Sequence, residues 1–161
     1  MDFLKYGAHS LILPLVKLFS KILESGIFPD IWNISTISTL HKSGSLYDCN
    51  NYRGINIGSC LGKLFTKILQ YRISGYLEEN NLIEDNQAGF RQDYRTTDQI
   101  FSLKTLLDRY LHKLKKKYIC MFCPVDFCKA FDSIWREGMY FKLREIGITG
   151  NIFNVIKKYV F

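Results

Sequence analysis

Nothing in this sequence reads as a secretory leader or a membrane span. The opening stretch, MDFLKYGAHSLILPLVKLF, carries an acid at Asp2, and Pro14 and Lys17 interrupt its apolar run. A leader needs a basic start and an unbroken apolar core, and a span needs about 20 successive apolar residues. The expectation is a chain that is neither secreted nor anchored, with an intracellular location in nucleus or cytoplasm and no membrane partner. Paired cysteines are also lacking. The five, Cys49, Cys60, Cys120, Cys123 and Cys128, are odd in number and scattered, which argues for reduced thiols packed as small hydrophobes. Cys120-x-x-Cys123 has neither a second such pair nor a nearby histidine, so it is a poor zinc site. No internal repeat, low-complexity tract or obvious linker occurs.

What remains suits one domain or slightly more. The chain has 161 residues, 47% hydrophobic and 15% aromatic, enough for a core. Charged residues make up 23%, an ordinary share that argues against wholesale disorder. The net charge of +7 biases the chain mildly toward polyanions, nucleic acid among them.

Leu11, Leu15, Leu18, Phe19, Ile22 and Leu23 recur at helical spacing and stop at Ser25-Gly26; Pro14 either kinks this helix or marks its start. Ile34 to Leu40 alternates as a half-buried strand does, and His41 to Asn51 reads as a loop or hairpin connection. The cleanest helical stripe is Leu61, Leu64, Phe65, Ile68, Leu69, Ile73, Tyr76 and Leu77, with Ser59 as its cap. The pattern breaks from Glu84 to Tyr94. A helix then starts at Thr96 or Thr97 and carries Ile100, Leu103, Leu107, Tyr110, Leu111 and Leu114. It ends in Lys113, Lys115, Lys116 and Lys117, either a solvated helix end or a phosphate contact. The apolar run Tyr118–Phe127 predicts a strand buried on both faces. A helix around Trp135–Ile146, stopped by Gly147, precedes a short one from near Asn151. The order predicts an α+β or mixed arrangement.

A carboxylate that closes a buried strand emerges where the sheet stops, a placement that suits a metal ligand. Asp126, after Val125, has that placement. It reads either as a ligand or as a plain strand-end cap. One carboxylate cannot satisfy Mg²⁺, which takes about six oxygens.

The stretch VDFCKAFDSIW around Asp126 closely resembles the first catalytic motif of reverse transcriptases from non-LTR (LINE-like) retrotransposons, roughly (V/L)DxxKAFDxV. Three further stretches resemble that family in its own order. They are SGIFPDIWNISTISTLHKSG with NNYRGINIGSCLGKLFTKIL in the fingers, QAGFRQDYRTTDQIF against QxGFRxGxST(T)DqI, and FKLREIGITG against KLxxxGIxG. Four ordered blocks are far more specific than any one.

The resemblance implies a partial right-hand polymerase fold, with a helical fingers region over 1–117 and a truncated palm sheet beginning at 118–161. It implies an RNA-directed DNA polymerase that works on an RNA template, a DNA primer and deoxynucleoside triphosphates by two-metal phosphoryl transfer with Mg²⁺. No obligate protein partner is implied. Asp126 matches the first catalytic aspartate, and the Phe127 carbonyl its neighbouring metal ligand. Phe131 matches the aromatic beneath the deoxyribose; core packing is its plainer reading, and both can hold. Asp132 reads as structural. Lys42 and Arg53 match basic fingers residues that approach the triphosphate. Gln87, Gly89, Phe90 and Arg91 match a block near the template and nucleotide pocket.

Departures accompany the match. Gly54 stands where proline is common, and Asp93 and Arg95 stand where the pattern prefers Gly and Ser. Pro124 removes a ladder N–H in an expected central strand, as a decaying element copy would. The sequence contains neither a Gly-Gln dipeptide nor an adjacent pair of aspartates, so the family's Gly-Gln and (F/Y)xDD motifs are missing. The expectation is a piece with negligible polymerase activity and an open apolar strand edge prone to aggregation. Two other readings stand beside it. One is an RNA-binding module using Lys42, Arg53, Arg91 and the Lys113–Lys117 cluster. The other is a functionless relic of a transposable element.

Overall fold

The computed structural model describes Leu4, residues 6–112 and 123–127, Ala130 and residues 133–159, with backbone alone at 111 and 112. In chain order its elements are α1 (Ala8–Ser25), β1 (Ser35–His41), β2 (Tyr52–Gly58), α2 (Cys60–Glu79), α3 (Thr96–His112), α4 (Arg136–Glu145) and α5 (Gly150–Tyr159). Helices therefore dominate, with one two-stranded sheet among the described residues. The chain divides into two compact units. One holds Met1–Arg72 and Trp135–Phe161, the other Ile73–Ile134.

The first unit is built on an aromatic cluster. Phe19 and Ile22 from α1, Phe28, Phe65 and Leu69 from α2 and Val155 from α5 form its buried core. The ring of Phe65 lies 5.3 Å from Phe19 and 6.0 Å from both Phe28 and Trp32. Such spacings fall in the range where tilted aromatic pairs attract. Trp32 reaches the cluster from a short 3₁₀ turn, Asp30–Trp32, after Pro29. Gly62 lets it in, since a Cβ there would come within 3.2 Å of the Trp32 Cβ.

α1 begins at Ala8 with Pro14 inside it, so the proline marks no start. Gly26 ends it in the left-handed region at φ 69°, donating its N–H to the Ile22 carbonyl, as the sequence reading expected. The Asn151 side chain donates to the Glu24 carbonyl and ties α5 to that end of α1. The Ser59 hydroxyl accepts the Gly62 N–H at 3.3 Å, the expected cap of α2. Gly147, at φ 90°, closes α4, and the next N–H, of buried Ile148, returns to the Leu143 carbonyl. That six-to-one bond is a Schellman stop.

No strand was named over Tyr52–Gly58, but of the two readings of His41 to Asn51, loop or hairpin connection, the hairpin is the one that forms. The glycines of β2, Gly54 and Gly58, dilute the strand pattern, and it is completed by pairing with β1 from Ser35↔Gly58 to His41↔Tyr52. The strand expected through Tyr118–Phe127 is corrected where it can be seen. Cys123–Phe127 forms no strand, and Val125 and Phe127 are exposed, whereas residues 118–122 lie outside the described set. Pro124 offers no ladder N–H, and no second strand among the described residues pairs there. The one sheet among the described residues thus pairs Ser35–His41 with Tyr52–Gly58, within the region expected to be the fingers.

Candidate nucleic-acid interface

Lys42 and Arg53 belong to the hairpin. Lys42 donates its N–H to the Asn51 carbonyl at 2.8 Å, extending the pairing by one step beyond His41↔Tyr52. Arg53 pairs with Leu40. Because strand side chains alternate between faces, Lys42 and Arg53 share the face of Leu40, Ile55 and Ile57. Diagonal neighbours of this kind stand about 7–8 Å apart at Cα, within reach of one anion for two long cations.

The connecting loop is fixed by its own side chains. The Asp48 carboxylate accepts the Asn50 N–H at 2.9 Å, the Asn51 amide donates to the Ser45 carbonyl, and the Tyr52 hydroxyl donates to the Leu46 carbonyl at 2.8 Å. Gly44, at φ 90°, packs so closely on Asn51 that a Cβ would meet its Nδ2 at 2.7 Å.

In the second unit, the segment between α2 and α3 carries Gln87, Gly89, Phe90 and Arg91. Arg91 is its centre. Its Nε and Nη2 donate to the two Glu78 carboxylate oxygens at 2.8 and 2.7 Å. Its Nη1 donates to the Glu84 carbonyl at 3.3 Å, and its guanidinium stacks 4.4 Å from the centre of the Tyr94 ring. Only 9% of the Arg91 side chain is exposed. This hydrogen bonding holds the Glu78 carboxyl below the usual carboxylate range, against the opposing effect of burial, and raises Arg91 in turn.

A group whose folded pKa is lowered contributes stability above its ordinary, unfolded value and loses it as pH falls through the folded value. The segment is therefore expected to loosen only as pH falls below the ordinary glutamate value of 4.5, read as lost amide protection over 84–95. Glu78→Gln should remove that acid transition and leave the segment loose at neutral pH. Unchanged protection in the variant would refute the pairing.

Glu78 was missed in the sequence, although a signal was there. Two acids, Glu78 and Glu79, end α2, where the helix dipole disfavours negative charge unless a cation is at hand.

The departures at Asp93 and Arg95 take on physical meaning. Asp93 has φ 65°, a left-handed conformation that explains the family pattern's Gly, and Asp tolerates it better than most residues. Arg95 occupies the cap of α3. The Asp98 side chain accepts the Arg95 N–H at 2.9 Å, which is one half of a capping box. A serine at 95 would supply the other half. Arg95→Ser is expected to stabilise α3 by about 1 kcal/mol, seen as a higher melting midpoint by circular dichroism; no rise would show that the cap is not limiting.

Asp126 is exposed on the irregular segment Cys123–Phe127. Phe131, Asp132 and the lysine cluster lie outside the described residues. Among the described residues, no three His, Cys, Asp or Glu side chains gather as a metal site would require. Asp126 and the Phe127 carbonyl are too few donors for Mg²⁺, so the described residues do not by themselves fit the ion. No described helix is long and apolar enough to cross a membrane.

The family model for reverse transcriptase (RNA-dependent DNA polymerase) matches residues 40–160. The chain belongs to that family, and within it to the non-LTR, LINE-like branch. It is 29% identical over 150 residues to a probable RNA-directed DNA polymerase from transposon BS of Drosophila melanogaster, covering 92% of this chain and 16% of that protein. It is 30% identical over 149 residues to the RNA-directed DNA polymerase from mobile element jockey of Drosophila funebris, again 92% and 16%. With the probable polymerase of transposon X-element of Drosophila melanogaster, it shares 27% over 158 residues, 98% and 17%. The chain thus spans about a sixth of the length of these curated relatives.

Proposed function

We propose that this chain is a portion of an RNA-directed DNA polymerase, with residues 1–117 as its fingers region and 118–161 as the opening of its palm. In this reading Lys42 and Arg53 approach the triphosphate of the incoming deoxynucleotide. Phe131 lies beneath its sugar, and Gln87, Gly89, Phe90 and Arg91 border the template. Asp126 and the Phe127 carbonyl belong to a Mg²⁺ centre whose other donors the described residues do not supply. RNA template and DNA primer are the macromolecular partners.

The observation that carries this reading is the hairpin register, which brings two cations separated in sequence to one face beside an ordered loop. Arg in particular suits phosphate oxygens through its planar fork. Titration with a deoxynucleoside triphosphate, followed by amide shifts, is expected to perturb residues 40–42 and 51–55 more than the matching monophosphate does. Lys42→Ala and Arg53→Ala should each weaken binding by about two- to fivefold, the scale of exposed charge contacts. Shifts confined to other regions would reject the assignment.

The net charge of +7 favours a second reading, a non-catalytic RNA-binding module. That reading expects steeply salt-dependent RNA binding with no preference for triphosphate at the hairpin.

A further inference from the structure

The two hairpin cations are held in different ways. Arg53 stands inside the ladder, paired with Leu40 and flanked by the pairs Tyr52↔His41 and Gly54↔Thr39. Lys42 stands one step past His41↔Tyr52, the last pair, where the chain leaves the sheet for the loop. Its N–H reaches back to the Asn51 carbonyl at 2.8 Å. The chain that follows Lys42 is wrapped on the same residue. Gly44, at φ 90°, lies so close to the Asn51 amide that a Cβ there would stand 2.7 Å from Nδ2 and 3.3 Å from Oδ1. That Nδ2 donates to the Ser45 carbonyl at 2.9 Å. Asn51 is itself anchored, with its N–H on the Asp48 carbonyl at 3.0 Å, at the end of the 3₁₀ turn Cys49–Asn51.

The residue types fit this arrangement. A carbonyl such as that of Ser45 only accepts, so the group facing it must donate, which an amide does and a carboxylate does not. At position 44 the left-handed backbone and the close approach both exclude a side chain. Asn51 is half-buried under the loop, whereas Lys42 and Arg53 are exposed. The amide therefore serves the chain around Lys42, and the cations are left to meet a ligand.

We propose that Asn51, with Gly44 packed on its amide, is a positioning residue for Lys42. It fixes the backbone from Lys42 to Ser45, so that the ammonium group meets a triphosphate without the cost of ordering a loose loop. Arg53 is held by the ladder and does not depend on it. The inference rests on the reading of the hairpin as a triphosphate contact, and adds which of the two cations the loop controls and through which side chain.

The test is a set of double-mutant cycles on the whole 161-residue chain, titrated with deoxythymidine triphosphate and followed by amide shifts. Asn51→Ala keeps the backbone N–H and carbonyl and loses only the amide. It is expected to weaken binding by about two- to fivefold, as Lys42→Ala does. Asn51→Ala combined with Lys42→Ala should bind no more weakly than Lys42→Ala alone, because the ammonium group that Asn51 serves is gone. Combined with Arg53→Ala, it should lose about the product of the two single effects. Gly44→Ala pushes on the same amide and brings no polar group, so it should couple to Lys42→Ala in the same way. A residue that merely supported the hairpin would weaken both cations alike.

Losses that multiply in Asn51→Ala with Lys42→Ala would overturn the proposal, since Asn51 would then act apart from Lys42. Equal coupling to Arg53→Ala would do the same. So would amide shifts in Asn51→Ala that show the pairing of Ser35–His41 lost, because Asn51 would then hold the hairpin as a whole. In all three cases the unaltered chain still prefers triphosphate to monophosphate, and the reading of the hairpin stands. An unaltered chain without that preference would remove the reading and the inference together.

Discussion

Phe65→Ala is expected to unfold the unit that holds the hairpin and helices α1, α4 and α5. Phe65 is 1% exposed and meets Phe19, Phe28 and Trp32, each from a different segment. Truncating such a ring removes its transfer free energy and leaves a cavity that stiff aromatic neighbours fill poorly. The cost of such changes is about 3–5 kcal/mol. Whole domains are stable by only about 5–15 kcal/mol, so this loss is comparable to the total. Trp32, against the same ring, reports the change by its fluorescence. The urea midpoint should fall by about 1 M or more, or the transition should vanish. Phe65→Leu, which keeps most of the volume, should cost much less. Equal effects of the two substitutions would place Phe65 outside the centre of the core.

The second large effect concerns activity. A polypeptide of these 161 residues, given Mg²⁺, an RNA template, an annealed DNA primer and deoxynucleoside triphosphates, is expected to extend no primer. Mg²⁺ needs about six oxygens, and triphosphate and water supply only some of them. The sequence offers no adjacent aspartates, and no metal-sized cluster forms among the described residues. A lone exposed carboxylate such as Asp126 holds the ion no better than a free one does. Asp126→Asn should therefore leave the background unchanged. Extension above background that disappears in Asp126→Asn would show that the chain assembles a working centre by itself, or with a second copy. RNA binding without extension fits either a portion of a polymerase or a binding module; the triphosphate shifts at the hairpin separate the two.

These expectations meet the exposed apolar surface of the molecule. Ile37, Leu40, Ile55 and Ile57 of the hairpin are exposed, and so are Ile100, Phe101, Leu106 and Tyr110 of α3. The periodicity that made α3 legible did not bury it. An amphipathic stripe shows which face seeks cover, whereas burial depends on whether a partner is present.

The sequence by itself determined what depends on near neighbours. The five helices among the described residues follow from apolar spacing, the Ser59 cap and the glycine stops at Gly26 and Gly147, all of which act within a turn or two of the backbone. It also carried the family, because ordered motif blocks survive in the chain whatever the fold does. Tertiary structure alone decided three things. It paired Tyr52–Gly58 with Ser35–His41 and so put Lys42 and Arg53 on one face, a matter of register between strands. It matched Arg91 to Glu78 across thirteen positions, and it turned Phe90 outward. Each is set by which group is within reach once the chain has folded; the two acids that end α2 call for a cation, but nothing local says which one.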